Sequence, residues 1–152
     1  MTISLSRLLR REPRPMAPPD PAYGWSGCSG RTRVLLECPP EGSPWMIGSI
    51  LERSDLDVVV CEGPAYHERC PMAVGGGCRA AESADVIVNM LGTGTPARAE
   101  VAPAVIGAGI DPARMLVSVY DPSDAPEGTT LVRPVAGARE LVGQIREAAA
   151  SS

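Results

Sequence analysis

The chain has 152 residues, the size of one ordinary domain, and 44% of them are hydrophobic, enough for a core that must be aliphatic because there are three Tyr, two Trp and no Phe. All fourteen basic residues are Arg, which excludes amine chemistry such as a Schiff base or a P-loop lysine. Residues 1–33 carry a net +4 and residues 34–152 a net −8, so the body offers no basic face to nucleic acid, and the scarcity of aromatics argues against a base-stacking platform.

Residues 1–33 contain five Pro from Pro13 to Pro21 and then Gly24, Gly27 and Gly30, a composition that buries little and reads as a flexible basic arm. Leu5, Leu8 and Leu9 alternate with Arg7, Arg10 and Arg11 and form no secretory apolar stretch. No run approaches the ~18 apolar residues of a membrane span. The expectation is a cytoplasmic protein without a membrane partner.

The domain is placed at residues 34–152. Val34-Leu35-Leu36, Val58-Val59-Val60, Val86-Ile87-Val88, Met115-Leu116-Val117 and Leu131-Val132 are short, continuous apolar runs, the pattern of strands buried on both faces of a parallel sheet. Between the first two, Ser43-Pro44-Trp45 supplies an N-cap and a first-turn proline, predicting a helix with Trp45, Ile47, Ile50 and Leu51 on its apolar face. A second helix is predicted from Pro96 to Gly109 with Val101, Ala104 and Val105 inward. A last one runs from Val135 to Ala150 with Leu141, Val142 and Ile145 inward. Gly92-Thr-Gly94-Thr lacks the third glycine of a dinucleotide fingerprint and reads as a strand-to-helix turn. Strand and helix alternate, so the fold class is α/β with helices on both faces of a central parallel sheet, and ligand chemistry is expected at the strands' carboxyl ends.

The ending Gly128-Thr-Thr-Leu-Val-Arg133-Pro134 followed by Ala138-Arg-Glu-Leu-Val-Gly-Gln-Ile-Arg146 resembles the last strand, Lys-Pro and last helix of the receiver domain of bacterial response regulators, and Val34-Leu-Leu-Glu37-Cys38 sits where that family has its acidic pair. The resemblance implies a three-layer, doubly wound, flavodoxin-like sheet of five parallel strands in the order 2-1-3-4-5. It also implies a phosphorylated aspartate at the end of the third strand, a Mg²⁺ held by carboxylates, a hydroxyl on the fourth strand and a lysine on the fifth. This chain departs at almost every point: Asn89 or Met90 stands at the acceptor position, Cys38 replaces one acid of the pair beside Glu37, and Arg133 replaces the lysine, while Ser118 keeps the hydroxyl. Only fourteen residues separate Ser118 from Arg133, and Pro122, Pro126 and Gly128 deny them a helix, so the fourth helix is expected to be shortened or missing. The implied reading is a receiver-like regulatory or adaptor protein that is not phosphorylated. It would act through protein contacts, including contacts with its own copies, and would not be an enzyme.

Five cysteines without an export signal point to thiol or metal chemistry rather than a disulfide framework. On the receiver-like fold Cys38 and Cys61 end adjacent strands at one sheet edge, with Cys70 and Cys78 in the loop rising from it. The alternative function is therefore a sensor in which Cys38, Cys61, Cys70 and Cys78 ligate zinc or an iron–sulfur cluster. His67 is a substitute for Cys38 in a zinc site. A redox pair of Cys70 and Cys78, or inert packed thiols, are the other readings, and Cys28 in the arm is a bystander. The lone His67 has no placed nucleophile and there is no nucleophile elbow, which argues against a hydrolase. Asp55 and Asp57 fall at the opposite, amino end of the second strand and are expected to solvate a turn.

Overall fold

A computed structural model describes residues 13–23, 25, 30–132 and 137–151. The apolar runs become five strands: β1 (Thr32–Glu37), β2 (Leu56–Cys61), β3 (Val86–Asn89), β4 (Met115–Val117) and β5 (Thr130–Leu131). All four pairings are parallel, and the strands lie side by side in the order β2-β1-β3-β4-β5, the doubly wound, flavodoxin-like arrangement expected.

Alternation along the strands sorts the side chains into two layers. Val34, Leu36, Val58, Val86, Val88 and Leu116 face α1 (Pro44–Glu52) and α5 (Ala138–Ala150). Leu35, Val59, Ile87, Met115 and Val117 face α2 (Arg79–Ser83) and the pair α3 (Pro96–Ala99) and α4 (Val101–Gly107). The two central strands are covered on both sides, so they tolerate no solvated residue, and this is why they read as unbroken apolar runs.

Helix α5 buries Leu141, Val142 and Ile145 as expected. The helix expected from Pro96 breaks at Glu100, one turn before Pro103, which has no N–H to donate to the carbonyl of Ala99. Helix α1 departs further from expectation. It seats Pro44, Gly48 and Leu51 on the sheet and leaves Trp45 67% and Ile50 37% exposed. The Gly48 face allows the closest approach to Val58 and Val60, and Ser43 precedes the helix in the left-handed region (φ 55°) without a side-chain cap. Between β4 and β5 there is only a single 3₁₀ turn, Pro122–Asp124, fastened by the Asp121 carboxylate accepting from the Ser123 N–H at 3.0 Å. The helix that the resemblance implies between the fourth and fifth strands is absent.

At the amino edge, Arg31 reaches both Asp55 and Asp57 (3.8 and 3.7 Å). Asp57 is buried rather than solvated, a correction that follows from its inward register on β2. No helix among the described residues is long and apolar enough to cross a membrane.

Candidate functional site

The carboxyl edge of the sheet divides at β1, because consecutive residues point to opposite layers. Glu37 pairs in register with Cys61 on one side and Asn89 on the other, so all three side chains enter the α2/α4 layer. Glu37 and Asn89 are each only 3% exposed, and the Asn89 Nδ2 donates to Glu37 Oε1 at 3.1 Å. Asn89 Oδ1 accepts weakly from the Leu91 N–H at 3.4 Å. Burial pushes the Glu37 carboxyl up to about 7, against the smaller pull of the Asn89 hydrogen bond. Met90 lies half-buried on the α1/α5 side, and Ser118, just past β4, gives its N–H to the Asn89 carbonyl at 2.8 Å. Arg133 and Pro134 lie outside the described residues, as does Cys28.

The four thiols expected to converge do not. Cys38 follows Glu37 by one residue and therefore enters the α1/α5 layer, whereas Cys61, Cys70 and Cys78 enter the other. These three gather with Glu37 around a nearly filled void of about 10 Å³. Cys70 stands before the 3₁₀ turn Pro71–Val74 and Cys78 before α2. Among the described residues, no group of three or more His, Cys, Asp or Glu is arranged to hold a metal ion. His67 is no substitute, since it sits exposed in a turn at φ 62° with its ring 3.9 Å from that of Tyr66.

The trio's chemistry is that of packed thiols. Burial, and then the Glu37 charge, push Cys61 up to about 12, and burial raises Cys70 and Cys78 as well. Cys61 in the folded protein is therefore expected to be alkylated by iodoacetamide at pH 8 at least ~100-fold more slowly than an unstructured thiol. Mass mapping of Cys61 before and after unfolding checks this, and equal labelling rates would contradict the burial argument.

What closes this void was not legible in the sequence. Met16, Pro18 and Pro19 cover it from outside, held there by a short parallel ladder of Arg14–Pro15 on Glu68–Arg69. The Arg14 N–H donates to the His67 carbonyl and the Met16 N–H to that of Arg69, both at 2.9 Å. Arg69 in turn forks onto Glu100 at 2.8 and 3.0 Å. Trp25 gives its indole N–H to the Val34 carbonyl at 3.4 Å and lies under the Arg33 guanidinium at 5.7 Å. Through these bonds part of the expected arm, residues 14–16, is tethered to the domain, although most of residues 13–20 remain exposed.

On the α1/α5 side of the same edge, a cleft of about 700 Å³ opens between β1 and β3, where the winding of the sheet reverses. Cys38, Ile47, Leu51, Met90, Val132 and Leu141 give it an apolar floor and walls. Its rim is formed by Glu41, the Gly92–Gly94 turn, Arg98 and Ser118. Gly92 holds the turn at φ 67°, and Thr95 caps α3 by accepting from the Arg98 N–H at 3.2 Å.

No family model matches the chain, and no curated protein matches it.

Proposed function

We propose that the chain is a regulatory module of the receiver-like type that takes up no phosphate and works through contacts with a protein partner. The observation that carries this reading is the Glu37–Asn89 pair. At the strand ends where the resemblance implies an acceptor carboxylate and Mg²⁺ ligands, the side chains are a carboxamide and a buried carboxyl whose proton leaves only near neutral pH. Mg²⁺ requires accessible, ionised oxygen ligands and several waters, and a 3%-exposed glutamate turned toward an apolar layer supplies neither.

The missing fourth helix also bears on partner choice, because the β4–β5 side offers a turn instead of a helical face. Helix α1 does expose apolar surface, with Trp45 and Met46 67% and 62% exposed, while the β4–β5 side exposes Tyr120 and Leu131. Large, rigid aromatic side chains of this kind are enriched where proteins meet. The thiol-metal alternative finds no support in the arrangement of Cys61, Cys70 and Cys78.

Incubation with acetyl phosphate and Mg²⁺ tests the reading. The intact mass is expected to stay unchanged under conditions that phosphorylate an active receiver run alongside. A hydroxylamine-labile phosphoryl adduct would refute it.

A further inference from the structure

We propose that the cleft on the α1/α5 side of the carboxyl edge binds a small amphiphilic anion, with its apolar body against Ile47, Ile50 and Met90 and its carboxylate or sulfonate on Arg98. This goes beyond the reading of the chain as a regulatory module and does not depend on it. The size fits: about 700 Å³ lies within the ~300–1,000 Å³ of pockets that enclose drug-sized molecules. The position fits too, since open α/β sheets bind ligands outside the strands' carboxyl ends, where the winding reverses.

The chemical class follows from the lining. Ile47 and Met90 are half-buried and Ile50 is 37% exposed, so the cleft presents aliphatic surface with no polar atom to satisfy. Among the described residues, the charged side chains lining the cleft are Arg98 and Glu41. Arg98 directs both terminal nitrogens to the two Glu41 oxygens, Nη1 to Oε1 and Nη2 to Oε2, the second at 3.3 Å. That fork is the geometry in which a guanidinium recognises any carboxylate. The partners are unequal in their exposure: the Arg98 side chain is 21% exposed and that of Glu41 64%. Glu41 therefore returns to water at little cost, whereas Arg98 stays at the rim. The internal carboxylate occupies the place of the ligand's anionic group, and an incoming anion that also brings apolar surface displaces it.

Two fluorescent probes share an apolar body and differ in charge: 8-anilinonaphthalene-1-sulfonate and neutral N-phenyl-1-naphthylamine. Titrated into the full chain, the sulfonate is expected to bind saturably at one site and about tenfold more tightly than the neutral probe, the scale of a charge-assisted hydrogen bond. Arg98→Gln should remove that advantage and leave the neutral probe's affinity as it was. Glu41→Gln, which removes the internal competitor, should tighten the sulfonate several-fold. Absence of saturable binding, equal affinity for the two probes, or a sulfonate affinity indifferent to both substitutions would each overturn the proposal. The Glu41 variant keeps the test decisive if Arg98→Gln fails to fold, and an unchanged protein mass with acetyl phosphate has no bearing on it.

Discussion

Replacing Glu37 by Gln is expected to stabilise the protein by about 3 kcal/mol at pH 8 and to leave its stability nearly unchanged at pH 4. The reason is linkage. The folded chain holds the Glu37 proton until about pH 7, whereas the unfolded chain releases it near the ordinary value of 4.5. Between those two values the unfolded state sheds a proton that the folded state keeps, so wild-type stability falls as pH rises and levels off above about 7. A shift of about 2.5 units corresponds to about 3 kcal/mol at 1.36 kcal/mol per unit. Gln cannot ionise, retains a carbonyl oxygen for the Asn89 Nδ2, and so escapes the loss. Glu41 and Glu100, held below the usual range by Arg98 and Arg69, work in the opposite direction but are common to both proteins and cancel in the difference. Urea unfolding of the two proteins from pH 4 to pH 8 measures it. A difference that does not change with pH would show that folding leaves the Glu37 carboxyl at its ordinary value.

Asn89→Asp should move stability the other way at the same site. The introduced carboxyl would lie where the Asn89 Nδ2 now donates to Glu37 at 3.1 Å, 3% exposed and, among the described residues, beside a Glu37 that no cation pairs. Two carboxyls that close share one proton, and the second charge is driven off or destabilises the fold. The expected cost is about 3–5 kcal/mol at pH 8, the scale of an uncompensated buried charge. It should shrink to within about 1 kcal/mol near pH 4, where both groups are protonated and one can donate to the other. Thermal or urea unfolding at the two pH values reads this directly. A variant as stable as wild type at pH 8 would mean that the pair is open to solvent or to a counter-charge.

The sheet was legible because its central strands are covered on both faces, and nothing but short aliphatic runs can fill them; the edge strand β5 is exposed at both Thr130 and Leu131. The missing fourth helix was equally legible, since Pro122 and Pro126 act locally and no distant contact overrides them. The cysteine site was not legible, for a reason of register. Cys38 and Cys61 do approach one edge, and the Cys38 N–H donates to the Cys61 carbonyl at 2.9 Å, but the residue that stands opposite Cys61 on β1 is Glu37. A one-residue offset in a strand reverses the face, and sequence spacing between two strands does not fix their register. The exposure of Trp45 was hidden because helix periodicity identifies a stripe without saying which side meets the sheet; here Pro44, Gly48 and Leu51 meet it and Trp45 does not. The tethering of residues 14–16 rests on backbone bonds to His67 and Arg69, which leave no signature in side-chain type. Glu37 carried a signal that was available, a lone acid within Val34-Leu35-Leu36-Glu37-Cys38 on a strand that must be buried on both sides.

At the carboxyl edge, where the receiver resemblance would imply an ionised, metal-binding site, Glu37 and Asn89 form a buried pair that holds a proton. A ¹³C NMR titration of the glutamate side-chain carboxyls, with Glu37 assigned by its absence in Glu37→Gln, tests that claim most directly. The account predicts a midpoint near 7 for Glu37, unmoved by millimolar Mg²⁺. A midpoint at the ordinary 4 to 5, or one that Mg²⁺ drives downward, would mean an accessible carboxylate able to hold the ion and would contradict it.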